Sequence, residues 1–283
     1  MKYTIAMLGL AALAGCSVPS AGGGTGGSGG GGSGGNTAVI VPVQVAEDIT
    51  SATYNPTSNT LSVDAILDGS PLVATYARTP ALDVQGYEAY SIKESSTQRS
   101  FIGLFKQNAR GNLSAGAISD GGQANEILNG GTFTRVSLYT APTSGLASYV
   151  GSYVGVIGYE SSLAGVPPVI VQGDAVLNAD FDRAVVNGGI NNRQYVGQAL
   201  PGALLPLALR ITPITNGEFA GKVEYIGKAN GAVGDYAGVF GGLNASDVAG
   251  VLVFNPFLGD SYTKETGVFV LPCVQPGTGV PCP

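Results

Sequence analysis

Histidine and tryptophan are absent from the 283 residues, and Asp, Glu, Lys and Arg together make up only 11%. Without histidine the chain lacks the usual general base, the Ser-His-Asp triad and the commonest zinc ligand. Charge is well below the about 25% of ordinary globular chains, so solubility rests on Ser, Thr, Asn and Gln. Cysteine is scarce too: Cys16, Cys273 and Cys282. Two thiols without a histidine or a third cysteine beside them make a poor metal or redox site. Past the N-terminus no long apolar run occurs, and a membrane-crossing helix needs about 20 apolar residues. The Gly22–Gly35 tract is no phosphate loop, since no strand precedes it and no lysine follows. No cofactor, metal or enzymatic activity is expected. A net charge of −6 also disfavours nucleic acid, whose phosphates an acidic surface repels.

What is present begins with Met1-Lys2, an apolar run from Ile5 to Ala14, and Leu13-Ala14-Gly15-Cys16. A basic start, a short apolar stretch and small residues before the cleavage point define a secretory signal, here 1–15. The tetrapeptide resembles a lipobox, whose cysteine is acylated and becomes the first mature residue, so Cys16 is the expected lipid anchor. Ser17 stands where aspartate favours inner-membrane retention, which points to the outer membrane. Residues 17–35 are mostly glycine, a flexible coil with a root-mean-square span of roughly 24 Å and a taut reach of about 65 Å. Residues 16–35 are therefore a lipidated tether. With Cys16 lipidated, the exported chain is left with one cysteine pair. The turn formers between Cys273 and Cys282 let these two meet, in a ring worth about 2–3 kcal/mol.

Residues 36–145 and 146–283 both read as β-structure, divided by the breaker-rich Thr140–Gly145. Ala38–Val45 is a β-prone run that Pro42 confines to an edge. Leu61, Val63, Ala65 and Leu67 alternate with polar residues, and Asp68-Gly69 reads as a hairpin turn into Leu72–Tyr76. Further strands are expected at Tyr87–Ile92, Arg99–Lys106, Ser114–Ile118 and Thr132–Tyr139. The second half predicts strands at Tyr149–Gly158, Ala175–Phe181, Ala184–Ile190, Leu207–Ile211, Gly217–Tyr225, Tyr236–Phe240, Gly250–Phe254 and Gly267–Leu271. In these, Ala175, Leu177, Ala179 and Phe181 share one face, and so do Leu207, Leu209 and Ile211. One apolar face per strand at regular spacing argues an antiparallel barrel or sandwich, and about eight strands suffice to close a small barrel. Helix signals are few: Asn244 with Asp247 reads as an N-cap opening at most one turn.

The segment Gly238–Phe254 resembles the C-terminal signature of the transferrin-binding protein B-like β-barrel domain. Gly238, Phe240 and Gly241 form its glycine-aromatic-glycine strand, Asn244 and Ala245 its turn, and Gly250 starts its last strand. Tyr149–Gly155, Gly173–Ile190 and Gly217–Gly221 resemble other strands of that domain. The resemblance covers about Tyr149 to Phe254 and implies an all-β chain: a C-terminal antiparallel barrel of about eight strands after a smaller handle-like β-region. It also implies a lipid-anchored outer-membrane protein, often displayed on the cell surface by a translocator, that captures host iron or haem carriers or other host proteins. No segment matches a transferrin-contacting loop.

Two functions follow from different premises. The first is a surface lipoprotein whose barrel loops capture a host or environmental protein, or a small solute, iron- or haem-related or otherwise, for a TonB-dependent outer-membrane transporter. Loops Glu160–Pro168 and Asn191–Pro206 are then the contact surfaces, or they merely join strands. The second is a structural or envelope-interaction lipoprotein, which could face the periplasm, with no role in uptake. Asp180 and Asp182, two apart on one strand face, bind a cation or form the solvated side of a hairpin. Tyr149, Tyr153 and Tyr159 pack as girdle residues or, in the sharper reading, ligate haem iron. A carboxylate-based hydrolase would need two carboxylates about 5–10 Å apart across a cleft, a distance no sequence supplies.

Overall fold

A computed structural model describes residues 39–67, 69–93, 99–122, 126–136, 139–160, 167–197, 199, 202–228 and 231–274. Cys16, the signal and tether segments, Asp68 of the hairpin turn, Cys282 and most of Glu160–Pro168 lie outside the described residues. Pro42 fixes the first difference from expectation. Its φ of −61° suits a helix start, and its carbonyl accepts the amides of Val45 and Ala46. The Ala38–Val45 run is therefore no strand: it ends in the one-turn helix α1, Val43–Ala46. Lacking an N–H, the proline could have offered a ladder only its carbonyl.

Seven strands follow in simple succession. They are β1 (Ile49–Asn55), β2 (Thr60–Leu67), β3 (Ser70–Arg78), β4 (Glu88–Lys93), β5 (Ser100–Gln107), β6 (Leu113–Asp120) and β7 (Asn129–Arg135). They form one antiparallel sheet in sequence order. β1 carried no clear alternation and was missed from the sequence, while β7 stops at Arg135, short of the expected Tyr139. The sheet curls until its two ends meet: the Asp48 amide donates to the Asn129 carbonyl at 3.1 Å, and the Asn129 amide donates to Asp48 Oδ2 at 3.0 Å. Leu61, Val63, Tyr76, Tyr90, Phe101 and Ile118 fill the curl.

The remaining eight strands close a barrel. They are β8 (Leu146–Tyr159), β9 (Val169–Asp180), β10 (Val185–Val196), β11 (Leu207–Pro213), β12 (Glu218–Tyr225), β13 (Gly234–Gly241), β14 (Asp247–Phe254) and β15 (Thr263–Val274). All neighbours are antiparallel, and β15 pairs with β8 to complete the ring. Side chains fill the interior, among them Tyr149, Tyr153, Phe219, Tyr236, Phe240, Phe254 and Phe269. Glycine makes the room. Gly155 opposes Gly267 and Gly238 opposes Gly250 across the ladder. A Cβ on Gly238 would sit 2.5 Å from the Phe219 ring and 2.5 Å from the Ala249 carbonyl oxygen. Aromatic rings thus lie flat on bare backbone.

β14 is buried along its whole length because both of its faces are covered. Val248, Leu252 and Phe254 point into the barrel, whereas Ala249, Val251 and Val253 meet the curled sheet through Leu104, Leu113, Ala117 and Phe133. That double burial explains why its sequence is a continuous apolar run rather than an alternation. Tyr87 locks the two parts together. The β8–β15 ladder is interrupted between its Tyr153–Phe269 and Tyr149–Cys273 pairs. There the Val270 amide donates to the Tyr87 hydroxyl at 2.9 Å, and that hydroxyl donates to the Ser152 carbonyl at 3.2 Å.

One strand departs from its expected facing. Between Val186 and Gly188 the β10–β11 register slips, so β11 carries an extra residue. A bulge of this kind turns every later side chain to the other face. Ile211 is 65% exposed instead of buried, and Thr212 turns inward, where its Oγ1 donates to the Ala220 carbonyl at 2.7 Å. No helix among the described residues is long and apolar enough to cross a membrane.

Candidate functional site

The barrel has two unlike ends. Short turns, at 181–184, 214–217 and 242–246, close one of them; the other carries the longer connections 160–168, 197–206, 226–233 and 255–262. Long connections on a closed frame are where binding residues concentrate. Asn191–Val196, expected as part of a contact loop, is instead paired strand within β10. The loop proper begins at Gly197. Ile226, Leu258 and Tyr262 stand out from the long-loop end at 49%, 44% and 65% exposure. The short-turn end also shows apolar side chains, Leu146 and Leu243, so it is the reach of the loops that distinguishes the two.

Tyrosine hydroxyls fix these loops to the barrel rim. Tyr225 donates to the Asn255 carbonyl at 2.5 Å, Tyr195 to Gly202 at 3.1 Å and Tyr159 to Pro167 at 3.1 Å. Asp260 folds its own loop back, accepting from the Tyr262 amide at 2.7 Å and from Thr263 Oγ1 at 2.6 Å. Each ring buries its body among apolar neighbours and leaves its polar tip at the rim, which suits tyrosine better than phenylalanine.

Beneath this rim lies a charged cluster that sequence pattern did not disclose. Arg193 of β10 and Glu265 of β15 form an ion pair with both side chains fully buried. Glu265 Oε1 also accepts the Tyr153 hydroxyl at 2.6 Å, while Arg193 Nη1 donates to the Leu205 carbonyl at 2.7 Å. The guanidinium carbon lies 5.0 Å from the centre of the Phe254 ring. Burial, with the Glu265 charge adding to it, holds the Tyr153 phenol well above its ordinary value, so it stays a donor. Three strand residues separated by up to 112 positions cannot be linked by spacing alone.

The residues singled out from sequence fall as follows. Gly238 and Gly250 face each other across β13 and β14. Phe240 is fully buried and packs on the rings of Tyr149, Phe181 and Phe219 at 5.3–5.6 Å. A Cβ on Gly241 would lie 3.0 Å from Leu113 Cδ1 of the curled sheet. Asn244 caps no helix. It takes the left-handed conformation, φ 53°, inside a 3₁₀ turn with no side-chain cap, because asparagine tolerates positive φ. Its amide donates to Thr140 Oγ1 at 2.9 Å, and Tyr149 donates to the Ala245 carbonyl at 2.6 Å. Asp247 opens β14 and pairs with Arg110 at 2.6 Å. Gly241, Asn244, Ala245 and Asp247 build the short-turn end, remote from the long loops, while Gly238 and Gly250 sit in mid-strand.

Tyr149, Tyr153 and Tyr159 do not converge on one point: each hydroxyl has a separate protein acceptor, which is girdle packing. Asp182 lies in the turn after β9, not on its face. Asp180 accepts the Arg183 amide at 3.0 Å and Asp182 the Gly145 amide at 3.1 Å, so both serve turns. Among the described residues no group of three or more His, Cys, Asp or Glu could hold a metal. Cys273 is buried at the end of the last strand, 3% exposed.

No family model and no curated protein matches the chain. Solved structures similar in fold include a transferrin-binding protein B double mutant from Haemophilus parasuis Hp5, at 12% identity and a TM-score of 0.44, with 80% of this chain and 45% of that one covered. A surface lipoprotein gives 14% identity and a TM-score of 0.40 over 82% of this chain and 100% of that one. HpuA from Kingella denitrificans, solved in complex with human haemoglobin, gives 13% and 0.35 over 80% and 88%. The chain spans about half the length of the transferrin-binding protein B structures it matches.

Proposed function

We propose that this chain is a lipid-anchored surface binding protein that captures a partner with the long-loop end of its barrel. The observation that carries the reading is a filled, closed barrel with apolar Ile226, Leu258 and Tyr262 exposed on loops tied to its rim. A filled interior has no room for a ligand, so recognition falls to the exterior. Exposed apolar side chains grouped on loops are the usual mark of a protein-binding surface. In this reading Cys16 bears the lipid, 16–35 is the leash, residues 36–145 brace the barrel of 146–283, and Cys273 pairs with Cys282. An outer-membrane position and an iron- or haem-carrier partner are what the family resemblance implies, and in this reading the cargo passes to a TonB-dependent transporter. The leash supports such a hand-over because tethering restricts the search volume.

Two experiments test this. In intact cells Cys16→Ser should move the protein from the envelope to the soluble fraction, and continued envelope attachment would sink the anchor. Partner capture by the full chain should fall at least about tenfold in the triple variant Ile226→Ser, Leu258→Ser, Tyr262→Ser. Capture that is unchanged in this variant would place the binding surface elsewhere.

A further inference from the structure

Where the long-loop end meets the curled sheet, a cavity of about 300 Å³ is lined by Glu47, Asp48, Glu126, Asn129, Glu160 and Lys264, with Ile66 and Leu67 at its side. Both parts of the fold contribute. Glu47, Asp48, Glu126 and Asn129 belong to the sheet and its connections, and Glu160 and Lys264 to the barrel. Lys264 Nζ pairs with Glu47 Oε1 at 3.2 Å. Asp48 also feels the charges of Lys264 and Arg99, whereas Glu126 and Glu160 form no ion pair among the described residues. Asp48 is fixed in place by the Asn129 amide on its Oδ2.

A second, independent feature sits in the same wall. Asn129 is 3% exposed, and its side-chain nitrogen has no hydrogen-bond partner among the described residues. A buried amide nitrogen without a partner is unfavourable, so Asn129 gains by donating to an acceptor. The side-chain amide offers a donor and an acceptor, the pair of groups that answers a peptide unit. The carboxylates around it answer a cation. One ligand carries both: a basic residue within a peptide.

We propose that this cavity receives a lysine or arginine side chain from an extended segment of the captured protein, with its peptide amide on Asn129. The cationic head lies between Glu126 and Glu160, and the stem runs past Ile66 and Leu67. A metal ion is the weaker occupant, because the described carboxylates do not converge as a ligand set. This inference rests on the capture reading above and adds a second contact beside the loops.

The test uses the full chain and the blocked tripeptide acetyl-Gly-Arg-Gly-amide. Its citrulline analogue, equal in shape but uncharged, and calcium chloride serve as comparators, and binding is followed by NMR titration. The arginine peptide should bind saturably at one site, and the citrulline peptide at least about fivefold more weakly. Glu126→Gln with Glu160→Gln should weaken arginine binding at least about fivefold, and Lys264→Met should strengthen it. Circular dichroism and thermal melting verify that each variant keeps its fold. Equal binding of the two peptides, indifference to Glu126→Gln with Glu160→Gln, or calcium displacing the peptide would each overturn the proposal. The outcome separates from the capture reading: loss of partner binding in the loop variant together with full binding in the glutamine variant would remove this site and leave capture standing.

Discussion

Deleting both members of the buried Arg193–Glu265 pair should damage the barrel less than the two single deletions added together. The two side chains are fully buried, and their partners are supplied by Tyr153 and the Leu205 carbonyl. Opposite unit charges about 4 Å apart attract by about 4 kcal/mol at an effective dielectric of 20. Glu265→Leu leaves the guanidinium buried with that attraction gone, a situation that destabilises proteins by about 3–5 kcal/mol. Total stability is only about 5–15 kcal/mol, so such a loss is readily measured and close to disabling. In the double variant Glu265→Leu, Arg193→Met no charge remains to be solvated. The residual cost is the orphaned Tyr153 hydroxyl and Leu205 carbonyl, about 1–3 kcal/mol each. Urea unfolding of the wild type, both single variants and the double closes the cycle. A coupling of at least about 2 kcal/mol is expected, with the double less damaged than the sum of the singles. Single variants that each cost under about 1 kcal/mol and simply add would refute the argument.

Two further outcomes follow from named contacts. Gly250→Ala places a methyl 2.6 Å from the Ala237 carbonyl oxygen and against the Phe269 ring. It should lower stability by about 1–3 kcal/mol in urea titration, and a variant as stable as wild type would show that the rings are not held against the strand. Burial raises the Asp120 carboxyl from 3.8 to about 6, although Arg99 lies 3.1 Å away. Between those values the native state keeps a proton that the unfolded chain has released, so stability falls as pH rises through about 6, by about 3 kcal/mol in all. Asp120→Asn should remove that slope; wild-type and variant stability curves that run parallel from pH 4 to 7 would contradict it.

How much of this could be read from the sequence varied with the physics behind each element. Strands that alternate one buried and one wet face, such as β2 and β9, announced themselves by period two, and the barrel followed from their number. β14 was found through its glycine-aromatic motif, since burial on both faces had erased its alternation. Ile211 was misplaced because a bulge leaves no mark in the sequence of the strand that carries it. Pro42 was read as an edge-strand residue when its fixed φ and missing N–H suited a helix start equally well. Lying in a turn-rich segment, Asn244 looked like a cap. The 3₁₀ geometry there depends on Thr140, more than a hundred positions earlier. The Arg193–Glu265 cluster and the Glu126–Glu160 cavity were invisible for the same reason, being assembled by closure of the fold.

The way the two parts pack narrows where a partner can approach. The curled sheet covers the outer wall of β13, β14, β15 and β8 through Val239, Val251, Val268 and Val154, among others. That wall is closed to any other protein. The interior is closed as well, since glycine pairs and aromatic rings fill it. What remains is the two ends of the barrel, of which the long-loop end reaches farther, the wall formed by β9 to β12, and the rim where loops and sheet adjoin. A stable interface takes about 800 Å² from each partner, more than three exposed apolar side chains supply. Contact centred on Ile226, Leu258 and Tyr262 must therefore spread outward. Tyr262 follows Ser261, which lines the acidic cavity, so spreading toward the sheet brings a partner over Glu126 and Glu160. A basic partner surface meets Glu126 and Glu160 there, which form no ion pair among the described residues, whereas along β9 to β12 Asp180 and Glu224 are already paired with Arg183 and Arg210. In the capture reading, charge thus favours a second contact at the rim over the open wall.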